Sequence, residues 1–138
     1  MRLKDRFFSR DQITLFAAMA FIYLATWALV FSGLFRRMSD IDVFLHFTGG
    51  FLIALFIANA LYGRGNLSRR RAWMIIALTL LIGIVWELYE WLLDFYLDDY
   101  FRGIGLRCCI GDLNDSIKDL VMDTLGAILA LFMRPKLK

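Results

Sequence analysis

AWMIIALTLLIGIVWELYEWLLDFY, residues 72–96, is long enough to cross a bilayer, yet its second half carries Glu87, Glu90 and Asp94. A spanning helix needs about 20 mostly apolar residues, so the length of this run sets the fold class. The acids in it set the question of function. An ionised carboxylate at the centre of a bilayer costs about 2.5 to 3.5 kcal/mol on insertion scales, and acids kept inside a lipid-length segment mark a site.

Composition agrees with that reading. A chain of 138 residues with 60% hydrophobic content, 16% aromatic content, one proline and a mean hydropathy of +0.62 is too apolar for a soluble domain of its size. The expected fold is all-α: a single polytopic membrane domain over residues 1–138, built as a bundle of four transmembrane helices at about 13–34, 43–61, 72–96 and 116–133. The first window has no charge, and the second has His46 and Asn59 as its strong polar intrusions. The fourth is the weakest, with Lys118, Asp119 and Asp123 near its start and Arg134-Pro135 closing it. The first run is too long for a signal-peptide core, and Ala18-Met19-Ala20 falls inside it, which predicts an uncleaved helix. Residues 97–115 are the only extramembrane stretch with room for structure of its own.

Orientation follows from the basic residues. Arg2, Lys4, Arg6 and Arg10 precede the first helix, Arg64, Arg69, Arg70 and Arg71 fill the second loop, and Arg134, Lys136 and Lys138 lie at the C-terminus. The opposite side has only Arg36, Arg37, Arg102 and Arg107, with Lys118 just inside the fourth helix, so both termini are expected in the cytoplasm of a bacterial-type membrane. This asymmetry and anionic headgroups account for the net charge of +3, which therefore does not call for nucleic acid.

Depth brings the polar residues together. Rising about 1.5 Å per residue from residue 72, the third helix reaches Glu87 after roughly 22 Å and Glu90 after roughly 27 Å of a core about 30 Å thick. The fourth helix runs back and places Asp119 and Asp123 below Asp115, while the second places His46 one turn below Asp42. Phase at about 100° per residue sorts these groups into faces. Gly83, Glu87, Glu90 and Asp94 share one face. Asp112 (if the helix starts so early), Asp115, Asp119, Asp123 and Gly126 share a second, and Asp42, His46, Gly49, Gly50 and Ile53 a third. Three polar faces at one depth satisfy one another by meeting, and their glycines permit close approach.

The blocks His46-Phe47-Thr48-Gly49-Gly50-Phe51, Trp86-Glu87-Leu88-Tyr89-Glu90-Trp91 and Gly111-Asp112-Leu113-Asn114-Asp115-Ser116-Ile117-Lys118-Asp119, the last running on to Gly126-Ala127, resemble the signature blocks of the YjdF-like small membrane proteins. They are more loosely similar to the VanZ-like proteins. The resemblance covers residues 42–132. It implies a compact multi-helix membrane protein, and through VanZ-like relatives a link to glycopeptide tolerance at the cell envelope, with no reaction or ligand attached.

The candidate site is an outward-opening pocket lined by His46, Glu87, Glu90, Asp115, Asp119 and Asp123. One imidazole with several carboxylates suits a divalent cation such as Mg²⁺, Mn²⁺, Fe²⁺ or Zn²⁺. A di-iron carboxylate bundle would need two Glu-x-x-His motifs, and the chain has a single histidine. The same groups can instead share protons or receive a polar or cationic envelope ligand. A pair such as Glu87 and Asp119 can also act as acid and base on an envelope lipid, although no nucleophile elbow, phosphate loop or zincin motif accompanies it.

The plainer reading is interhelical glue, in which the acids hydrogen-bond between helices. Asp40, Asp42, Asp94, Asp98 and Asp99 read as solvated or capping groups, Lys118 as the neutraliser of Asp115 or Asp119, and Trp86, Tyr89, Trp91, Tyr96 and Tyr100 as outer aromatic belt and packing. Adjacent Cys108 and Cys109 rarely bond each other comfortably and read as free thiols, an intermolecular bridge or a soft-metal contact. A homo-oligomer is compatible with so small a bundle, though Gly49-Gly50 and Gly126 serve equally for packing within one chain.

Overall fold

A computed structural model describes residues 9–34, 40–63, 65–104 and 113–134. It is all helical among those residues: α1 (Arg10–Phe31), α2 (Ile41–Tyr62), α3 (Arg69–Gly103) and α4 (Leu113–Met133). The first three are each long and apolar enough to cross a membrane. The fourth, at 21 residues, carries too many charged groups to meet the same measure.

The helix starts have local causes. Ser9 accepts from the Gln12 backbone N–H at 3.4 Å and Ser68 from that of Arg71 at 3.4 Å, each satisfying one of the donors a helix leaves open at its start. At the end of α2, Gly63 takes φ 60°, a conformation that a residue with a Cβ rarely adopts. α1 and α3 thus begin three residues earlier than expected from hydropathy, because their first turns are polar.

α3 differs more. Residues 97–103, expected in a loop, continue the helix to a length of 35 residues, about 52 Å at 1.5 Å per residue. No Gly or Pro interrupts it after Gly83, Arg102 closes a two-pronged salt bridge on Asp98 one turn back (Nη2–Oδ2 2.7 Å), and Phe101 is buried against Trp27 of α1. Cys108, Cys109 and Asp112 lie outside the described residues.

The bundle is organised around α2 and α4, which run parallel: His46 meets Asp123, Gly50 the Asp123 backbone, and Ala58 the Arg134 side chain. α3 runs antiparallel to both, with Glu87 at His46 and Met74 at Tyr62. One stripe on each inner helix explains the packing. Asp42, His46, Gly50, Ala54 and Ala58 recur every fourth residue on α2, while Asp119, Asp123, Ala127 and Ala130 follow one face of α4 with Gly126 beside them; all are buried. Charge fills one half of the stripe and small residues the other, where Ala54, Ala58, Ala127 and Ala130 pack with Ile57 and Ile75. Small residues let helix backbones approach, and dispersion replaces the hydrophobic effect that lipid does not supply.

α1 rests on α2. Gln12, almost fully buried, donates from Nε2 to the Phe56 carbonyl at 3.0 Å. Around the bundle, Phe16, Phe21, Leu24, Phe44, Trp73, Phe95 and Phe132 are exposed, a surface that suits hydrocarbon and would aggregate in water.

Candidate functional site

His46 is the centre. It projects from the inner stripe of α2 with its side chain 5% exposed, and carboxylates from three helices surround it. Nδ1 faces Asp123 Oδ2 of α4 at 3.5 Å, and donates to it when that nitrogen carries the proton. Nε2 faces Asp42 Oδ1, one turn back on α2, at 3.8 Å, and Glu87 Oε1 of α3 at 3.7 Å. Two sets of ligand-type atoms lie within 4.8 Å of one another: Asp42, His46 and Asp119, and His46, Glu87 and Glu90.

Backbone approach makes this convergence possible. A Cβ on Gly50 would lie 2.6 Å from the Asp123 Cα, and one on Gly126 would lie 2.8 Å from the Phe51 backbone nitrogen. A Cβ on Gly83 would meet the Asp123 carboxylate and, at 3.1 Å, the Leu120 side chain. These three glycines are therefore spent within the chain. Gly49 differs, because a Cβ there meets nothing within 4 Å.

The hydrogen bonding of the cluster is incomplete. The Trp86 indole donates from Nε1 to Glu90 Oε1 at 2.8 Å, and the Ser116 hydroxyl of α4 is within reach of Glu87. Glu87 Oε1 and Asp119 Oδ1 are nevertheless buried with no hydrogen-bond partner. Among the described residues no lysine or arginine forms an ion pair with Asp42, Glu87, Glu90, Asp119 or Asp123. Among the described residues one imidazole, paired with Asp42, Glu87 and Asp123, is thus the only basic side chain set against four buried carboxylates and the nearly buried Glu87. Buried carboxylates repel strongly when all are ionised, so positive charge, as protons or a cation, has to enter.

Of the residues expected at this site, His46, Glu87, Glu90, Asp119 and Asp123 come together. Asp115 stays at the edge, where it takes the Lys118 ammonium, and both side chains are substantially exposed. Asp42 moves the other way: expected as a solvated or capping group, it is buried, since α2 begins at Ile41 and turns it inward beside His46. The four-residue spacing from His46 carried that signal. Trp86, expected as belt and packing, bonds Glu90 and holds its carboxylate in place.

Sequence reasoning missed the part played by α1. A cavity of about 170 Å³ lies between α1, α2 and α3. Met19, Ile22, Tyr23 and Thr26 form its α1 wall, Leu45, Gly49, Ile53, Ile82, Gly83 and Trp86 the facing walls, and Asp42, His46, Glu90 and Asp123 its polar end. The Tyr23 ring meets Trp86 edge-on at 5.9 Å, and its hydroxyl is 3.2 Å from that of Tyr89. α1 has no charge over its apolar run, so composition alone offered no hint that it closes a site.

A family model described as "Predicted membrane protein (DUF2238)" matches residues 4–135. No curated protein and no solved structure matches the chain. Nothing in these comparisons supports the looser VanZ-like resemblance.

Proposed function

The chain belongs to the DUF2238 family of predicted membrane proteins, and on that footing we propose that its His46-centred carboxylate cluster is a buried binding site for a divalent cation. One observation carries the reading: four buried carboxylates and the nearly buried Glu87, from three helices, surround a single imidazole, and two of their oxygens, Glu87 Oε1 and Asp119 Oδ1, are buried with no hydrogen-bond partner. A cation accounts for both facts. The donor set, one nitrogen and otherwise oxygens, suits Mn²⁺, Fe²⁺ or Zn²⁺ with Mg²⁺ as the harder alternative. Asp42, His46 and Asp119 would supply one set of ligand atoms and His46, Glu87 and Glu90 another, with His46 common to both.

The site lies in the outer half of the membrane in this proposal, with α4 as a fourth span and both termini cytoplasmic. The positive-inside bias supports that topology. So does the alternation of helix directions, α2 and α4 running together and α3 against them. A bacterial-type cytoplasmic membrane and the YjdF-like grouping are part of the same reading.

Thermal unfolding with and without a chelator tests it. A ligand present at 100 times its Kd stabilises by about 2.7 kcal/mol, so Mn²⁺ or Zn²⁺ should raise Tm in the wild type and not in Glu87→Gln or Asp123→Asn. Were the acids only interhelical hydrogen-bonding glue, the wild type would show no metal-dependent shift and the amides would keep its stability.

A further inference from the structure

The cavity beside the cluster has a chemistry of its own. Its walls are almost entirely hydrocarbon and aromatic, and its polar end presents Glu90, Asp42 and Asp123 with His46. No lysine or arginine lines it among the described residues. An anionic headgroup would meet carboxylates there, whereas an ammonium would meet complementary charge and acceptors. The end is built from buried groups, Glu90 and Asp123 both more than nine-tenths enclosed.

Access points to the bilayer. Tyr23 and Ile82 line the cavity and are also 40% and 42% exposed on the lipid-facing surface. They belong to the seam between α1 and α3, where ring contacts such as Tyr23 with Trp86 and the Tyr23–Tyr89 hydroxyl pair bridge the two helices. A volume of about 170 Å³ admits a headgroup and the first part of a chain, not a whole lipid. The remainder of the chain would stay in the hydrocarbon outside the seam.

We propose that this cavity binds the ammonium head of a single-chain or lipid amphiphile, admitted sideways from the membrane between α1 and α3. The inference deepens the cation reading, since it uses the cavity-facing side of the same acidic cluster. Asp119 and Glu87, which carry the unpartnered oxygens, do not line the cavity, so the two sites can be separated by experiment.

Gly49 offers the separating variant. It lines the cavity, its Cβ position is open, and it contributes no side chain to the cluster, so Gly49→Leu should fill the cavity and leave the carboxylates in place. The full chain in nanodiscs of zwitterionic lipid would be titrated with dodecylamine brominated near the head, read by quenching of tryptophan fluorescence, with a Trp86→Phe control to assign the quenched indole. The expected result is saturable quenching in the wild type, at least tenfold weaker affinity in both Gly49→Leu and Glu90→Gln, and no comparable response to the matching dodecyl phosphate or to competition by methylammonium. Metal-dependent stabilisation should persist in Gly49→Leu, which keeps failure of the cavity proposal distinct from failure of the cation site. Equal binding of the phosphate amphiphile, equal competition by methylammonium, or unchanged affinity in Gly49→Leu would overturn the proposal.

Discussion

His46 has no substitute in its position. It is the chain's single histidine, and its two ring nitrogens face carboxylates on its own helix and on two others. Replacing it with phenylalanine keeps the volume and removes the one base in the cluster. Breaking a buried ionic arrangement on one side costs about 3 to 5 kcal/mol, so His46→Phe should be strongly destabilised, with the loss read as a lower Tm in detergent. Gln12→Leu tests a smaller effect: it removes the donor to the Phe56 carbonyl and should cost about 1 kcal/mol, loosening α1 without altering metal response. At this scale much was legible. A charged residue in a hydrocarbon-length run announces itself; rise per residue put His46, Glu87, Glu90, Asp119 and Asp123 at one depth, and helical phase put those of each helix on one face. Asp42 and Asp115 were harder, because both sit within one turn of a helix start. There a difference of a residue or two in the boundary decides between solvent and core.

The glycines are where the helices themselves can be tested. Gly50 and Gly126 lie where α2 and α4 pass closest, and a methyl group on either would fall on the backbone of the other helix. Gly50→Ala and Gly126→Ala should each cost about 1 to 3 kcal/mol as overpacking, and should weaken cation binding by separating His46 from Asp123. Gly49→Ala is the internal control one residue away. Its Cβ enters open space and alanine favours helix by roughly 1 kcal/mol over glycine, so stability should hold or rise. Unfolding midpoints of the three variants side by side would check this contrast. The sequence shows that all three glycines lie on or near polar faces, but only the helix crossing distinguishes the one that faces the cavity. The continuation of α3 to Gly103 was hidden for a related reason: Asp98, Asp99 and Arg102 look like loop residues by hydropathy, while the i,i+4 pairing of Asp98 with Arg102 and the burial of Phe101 extend the helix.

For the molecule as a whole, the central matter is how an apolar bundle tolerates four buried acids and a fifth, Glu87, at the edge of burial. α2, α3 and α4 converge them on one imidazole, α1 screens the flank with aromatic rings, and the outer surface is given to lipid. In the proposed topology, a C-terminal green fluorescent protein fusion should fluoresce and a C-terminal alkaline phosphatase fusion should be inactive; the reverse would place the cluster in the inner half. The direct measurement of the cation site is elemental analysis of the purified wild type beside Asp119→Asn, the substitution that changes one buried carboxylate and keeps its shape. The expected result is one divalent ion per chain in the wild type and its loss in a variant that still folds. A folded wild type purified without stoichiometric metal and unable to take it up, or an Asp119→Asn variant that keeps the full content, would contradict a cation centred on His46.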